Sequence, residues 1–107
     1  MKKELIYLKT NKEGEVSIMA YKFAEGLYIH KLYQGGGKFT DRNYWTITHK
    51  SGFCVKAFAH IPMKLKDVAL EAGKLIHLDW DLPYDFLMRM NPGDAQKFKE
   101  AIMSLHG

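Results

Sequence analysis

Between Tyr28 and Lys50 the chain alternates rings with cations: Tyr28, His30, Lys31, Tyr33, Lys38, Phe39, Arg42, Tyr44, Trp45, His49 and Lys50. Single-stranded nucleic acid is bound by this mixture, because cations track phosphates and ring faces stack bases for about 1–3 kcal/mol each. Lys31, Lys38, Arg42, Tyr44, Trp45 and Lys50 are the candidate contacts. The competing assignment puts the rings in a sheet core and leaves the cations as solvated surface. The same segment holds Gln34-Gly35-Gly36-Gly37-Lys38. Three successive glycines are costly to order, and their N–H groups can cradle a phosphate. A nucleotide-binding P-loop needs a spaced second glycine before Lys-Ser/Thr and a helix after it, and neither is present. A tip between two strands is the expectation.

The other constellations are weaker. His77, Asp79, Asp81 and Asp85 crowd one segment, and carboxylates suit hard cations. A calcium loop also needs Gly at its sixth position and Glu at its twelfth, which are missing. Trp80, Leu82 and Pro83 predict a packed connector there instead. The five histidines include no pair four apart, and Cys54 falls in a strand, where a thiol is usually buried and inert. Paired carboxylates, a Ser-His-Asp set and a dinucleotide fingerprint are absent from the sequence. The reading is therefore a non-enzymatic protein with no metal and no cofactor.

Three turn signals define the elements that would position these residues. Lys12-Glu13-Gly14, Ala24-Glu25-Gly26 and Lys50-Ser51-Gly52 each end in glycine and separate runs rich in β-branched and aromatic residues. Each suits a three-residue hairpin loop with Gly in the left-handed region. Strands are predicted over about 4–10, 15–23, 27–33, 43–49 and 53–59. The first turn would pair Leu8 with Ile18, and the second would pair Ala20 with His30. One face then carries Ile6, Leu8, Ile18, Ala20 and Leu32; the other carries Leu5, Tyr7, Met19, Tyr21, Phe23 and Ile29. A sheet with one wet face would alternate apolar with polar. Both faces here are apolar, so both need cover: helices on one, a second sheet layer or a partner subunit on the other. In the last hairpin Trp45, Ile47, Phe53, Val55 and Ala57 are expected on one face, with Thr46, Thr48, Lys56 and Phe58 on the other.

Two helices follow. Leu65, Val68, Ala69, Ala72, Leu75 and Ile76 have helical spacing, with Pro62 placed in the first turn. Asn91-Pro92-Gly93-Asp94 opens the second with an N-cap, a proline and a first-turn acid. Its buried stripe would be Ala95, Phe98, Ile102 and Leu105. The fold class is thus α+β: an antiparallel β-meander of about five strands followed by two C-terminal helices, in a single domain over residues 1–107.

The formal net charge is +4, and the excess is all in the first half: residues 1–53 hold nine Lys/Arg against five Asp/Glu, and residues 54–107 hold seven of each. That asymmetry suits an anionic partner. No apolar run approaches the roughly 20 residues that span a bilayer, so no membrane association is expected. The lone cysteine and the missing signal-peptide pattern predict a cytoplasmic protein. Two functions are consistent with the whole: a module binding single-stranded nucleic acid through residues 28–50, or an interaction module that forms a homodimer through an apolar sheet face.

Overall fold

The structure is a computed structural model that describes residues 1–82 and 90–105. Its strands are β1 (Lys3–Thr10), β2 (Gly14–Ala24), β3 (Leu27–Lys31), β4 (Tyr33–Gly35), β5 (Lys38–Phe39), β6 (Trp45–His49) and β7 (Cys54–Ala57); its helices are α1 (Leu65–Gly73) and α2 (Pro92–Met103). The main sheet is antiparallel throughout, in the order β1-β2-β3-β6-β7, and β4 and β5 form a separate small hairpin. This is an α+β fold, a five-stranded antiparallel sheet followed by two C-terminal helices. No helix among the described residues is long and apolar enough to cross a membrane.

The glycine turns fall where local chemistry placed them, with details set by side chains. The first hairpin pairs Ile6 with Ile18 and Leu8 with Val16, two residues from the expected register. Thr10 closes this turn early: its Oγ1 accepts the Glu13 N–H at 2.9 Å and donates to the Gly14 carbonyl at 2.9 Å. A shift of two leaves every side chain on its expected face. The third predicted strand breaks after Lys31. The Leu32 N–H bonds Tyr44 O and the Thr40 N–H bonds Leu32 O, so the chain between them leaves the main sheet as the β4–β5 hairpin.

Ile47 pairs with Lys56 but its neighbour Thr48 pairs with Cys54, so Val55 is an extra residue in β7 and the phase of that strand changes. Ala57 therefore pairs with Thr46, away from Ile47, and Phe58 enters the main core fully buried. Phe53 is partly exposed. These three depart from strict alternation, while Trp45, Ile47 and Val55 share the core as expected.

Helices cover one face of the sheet. Leu27, Ile29, Trp45, Ile47, Val55 and Phe58 pack with Val68, Ala72, Leu75, Trp80 and Phe98. α1 starts three residues later than the Pro62 signal suggested, and the Met63 N–H ahead of it bonds Asn43 O. α2 opens as its sequence dictates: Asn91 accepts the Asp94 N–H at 2.9 Å and Pro92 fills the first turn. Ala95, Phe98 and Leu105 are buried and Ile102 packs at the core margin.

The opposite face buries Ile6, Leu8, Ile18 and Ala20 under Tyr33 and Phe39 of the β4–β5 hairpin, so a second sheet layer supplies that cover. The sheet also curls. A Cβ on Gly52, in the β6–β7 turn, would lie 2.4 Å from Tyr7 O. All five residues of β6 are buried.

Candidate functional site

The six basic and aromatic candidates do not form one surface. Lys31, Arg42 and Trp45 come together: Lys31 Nζ lies 5.1 Å from the Trp45 ring centroid and donates to Arg42 O at 2.7 Å and to Asn43 Oδ1 at 3.4 Å. The Trp45 ring is in the core, 8% exposed, with its Nε1–H on Met63 O at 3.0 Å. Tyr44 is half-buried edge-on to His60. Lys38 is exposed on the small hairpin. Lys50 lies past the far end of β6, bonded to the Asp81 carboxylate, which it holds below its ordinary pKa.

The glycine tip does hold an anion, and it is the chain's own Glu13. Glu13 Oε1 accepts the Gly36 N–H at 2.6 Å and Oε2 accepts the Tyr33 hydroxyl at 2.9 Å. These two bonds lower the Glu13 pKa. They also latch the β1–β2 turn onto the β4–β5 hairpin. Of the acidic segment, Asp85 lies outside the described residues. Asp79 accepts the Asp81 N–H at 3.0 Å, and among the described residues no three metal-ligating side chains gather.

Beside the curl lies an open, mostly apolar pocket that the sequence did not reveal. A cavity of about 200 Å³ is bordered by His30, Thr46, Thr48 and Cys54, with Leu8 and Leu32 as apolar neighbours. His30 Nδ1 is 2.7 Å from Lys31 O, which can only accept, so Nδ1 carries the proton. Its Nε2, 2.7 Å from Thr48 Oγ1, must then accept the Thr48 proton. Desolvation lowers the His30 pKa against the opposing pull of Lys31 O, which favours the neutral ring. Cys54 is exposed at the start of β7, in contrast to the buried thiol expected, yet desolvation still raises its pKa. The Thr-Ile-Thr alternation of Thr46 and Thr48 was the available signal, for period two places both hydroxyls on one face.

Thr46 Oγ1 is buried with no hydrogen-bond partner among the described residues. A buried hydroxyl of that kind costs stability, and valine matches its shape. Thr46→Val is therefore expected to stabilise the fold by about 1 kcal/mol, read as a higher urea midpoint; a lower midpoint would mean the hydroxyl is satisfied in solution.

A second buried histidine ties the sheet to the chain after α1. His49 Nε2 donates to Trp80 O at 2.8 Å, and its Nδ1 accepts from Ser51 Oγ at 2.7 Å. Its pKa is also lowered, first by desolvation. Both histidines thus bind protons less readily folded than unfolded, where the value is about 6.5. Their contribution to stability is complete above about pH 6.5 and falls as pH drops through that value toward their folded pKa values. Chemical denaturation at about pH 7.5 and 5 should show a lower midpoint in acid; a midpoint independent of pH across that window contradicts this assignment.

An opening of about 880 Å³ lies where the sheet splits between β2 and β3. Ladder pairing between these strands is confined to Tyr21, Lys22 and Ala24. Val16, Ile18, Ile29 and Phe39 line the gap, with Lys3 and Lys31 beside its closed end and the Glu13 latch across the other. The chain matches no protein-family model, no curated protein and no solved structure.

Proposed function

We propose that the protein is a non-enzymatic interaction module that self-associates through the uncovered end of its helix-side sheet face. One observation carries this reading. Leu5, Tyr7 and Met19 are 57%, 53% and 53% exposed, although they share a face with Tyr21 and Ile29, which the core takes in. Leu5 and Met19 are direct cross-strand partners, and Tyr7 is one pleat further along. A contiguous apolar patch on a sheet is characteristic of an interface, and a two-fold dimer would bring the same patch from two copies together.

Light scattering after gel filtration should give a dimer mass at high micromolar concentration, little altered by salt, since apolar association does not depend on counterions. Met19→Lys should return the mass to that of a monomer. A monomeric mass for the unaltered protein at about 100 micromolar, a concentration at which a dimer of even micromolar Kd is populated, would retire this reading.

Single-stranded nucleic acid is the second reading, supported by the exposed cations Lys38 and Arg42 and by the charge excess of the first half. Its signature is the opposite one: anisotropy of a labelled oligonucleotide that falls steeply with salt, with a slope flattened by Lys38→Ala.

A further inference from the structure

The split between β2 and β3 is a strand-sized slot with unused backbone groups along one wall. The Lys22 N–H bonds Lys2 O, on the β1 side. Backbone groups alternate sides along an antiparallel strand, so even-numbered residues of β2 serve β1 and odd-numbered ones face β3. Tyr21 uses its groups on Ile29. Ser17 and Met19 lie beyond that ladder and border the gap, with no ladder partner on that side among the described residues. On the far wall the same alternation turns the Lys31 N–H inward, while the Lys31 carbonyl is taken by His30.

We propose that this slot binds a short extended peptide that adds as a strand along β2 and ends there in a free C-terminal carboxylate. The backbone groups choose a peptide: an alkyl chain would bury unpaired N–H and C=O groups and lose their hydration without replacement, whereas a strand pairs with them. The closed end chooses a chain terminus, because the Tyr21–Ile29 ladder blocks any continuation in the plane of the sheet. The charge there chooses the C-terminus. Lys3 Nζ sits 5.0 Å from the Tyr21 ring centroid and Lys31 Nζ over Trp45, and no carboxylate pairs with either among the described residues. Glu13, the acid bordering the gap, is at the opposite end and already holds Gly36 and Tyr33. The peptide would therefore run parallel to β2 and antiparallel to β3. Val16, Ile18 and Phe39 would meet its side chains on one sheet face, and Met19 and Ile29 those on the other. This site shares Met19 with the self-association patch, but the ligand strand occupies the gap beside β2 and not the Leu5–Tyr7 surface.

The test is selection of random C-terminal hexapeptides displayed with free carboxylates, followed by anisotropy with synthetic copies of the enriched sequences. Enrichment on the unaltered protein is expected, and it should vanish on the Lys3→Gln, Lys31→Gln double variant. Amidating the C-terminus should weaken binding about tenfold or more, as loss of a charge-assisted contact does. N-methylating the amides that face β2 should weaken it roughly two- to tenfold each. Ser17→Pro removes the N–H facing the slot and leaves the β1 ladder intact, so it should keep the unfolding midpoint and lose the peptide. If that variant does not fold, the N-methylated peptides decide the same point. Absence of any enriched sequence, or enriched peptides indifferent to amidation and N-methylation, would overturn the proposal.

Discussion

Gly26→Ala is expected to leave little folded protein. Gly26 turns β2 into β3 at φ +83°, a conformation that costs an L-residue about 1–2 kcal/mol. The neighbour is worse than the angle. A Cβ there would lie 2.1 Å from Trp80 O and 2.5 Å from Trp80 C, both backbone atoms. Trp80 cannot give way cheaply. It is 2% exposed, its carbonyl accepts the His49 Nε2–H, its Nε1–H donates to Leu75 O at 2.8 Å, and its ring packs edge-on to Phe98 at 4.8 Å between centroids. Displacing it would open contacts to β6, the segment after α1 and α2 together, so the cost should exceed about 3 kcal/mol. Denaturant unfolding checks this: a midpoint within the error of the unaltered protein would mean that Trp80 is not seated on the β2–β3 turn.

Trp45→Ala is the second large effect, expected to cost about 3–5 kcal/mol as a buried large-to-small change. It removes a ring from the core, a bond to Met63 O and the aromatic face beneath Lys31. The same variant separates two roles for the side chain. A core tryptophan removes stability wherever the protein is assayed, whereas a stacking tryptophan would leave the unfolding midpoint within about 1 kcal/mol and weaken only a bound strand.

Much of the fold was legible because it is locally encoded. The Gly14, Gly26 and Gly52 turns depend on backbone freedom that neighbours do not alter, and all three adopt positive φ. The start of α2 depends on Asn91, Pro92 and Asp94 alone. Sheet faces followed from period two, and survived a two-residue error in the first register because such a slip preserves the face.

The parts that were not legible depend on partners distant in sequence. The bulge at Val55 inverts the face assignment of Ala57 and Phe58, and no residue in Cys54–Ala57 announces it. The segment before α1 is tied by a bond from Met63 to Asn43, twenty positions back in the chain. The candidate site fared likewise. Composition marked Lys31 and Trp45 as notable, yet their meeting and the burial of the ring follow from the β3–β6 pairing. His30 became a tautomer-defined partner of Thr48 only through the same pairing, and the orphaned Thr46 hydroxyl only through the curl of the sheet.

The sequence by itself determined that five strands and two helices would form, where the chain would turn, and that both sheet faces would be apolar, because backbone dihedral preference and side-chain periodicity act within a few residues. Tertiary structure decided what covers each face, leaving Leu5, Tyr7 and Met19 open while the β4–β5 hairpin closes the other side. It also decided that the β2–β3 ladder ends at the Tyr21–Ile29 pair, leaving Ser17 and Met19 outside it. Ladder pairing needs two backbones held side by side, and the curl that brings Gly52 against β1 and the Glu13 latch that fixes the β4–β5 hairpin are contacts between segments that only the completed fold brings together.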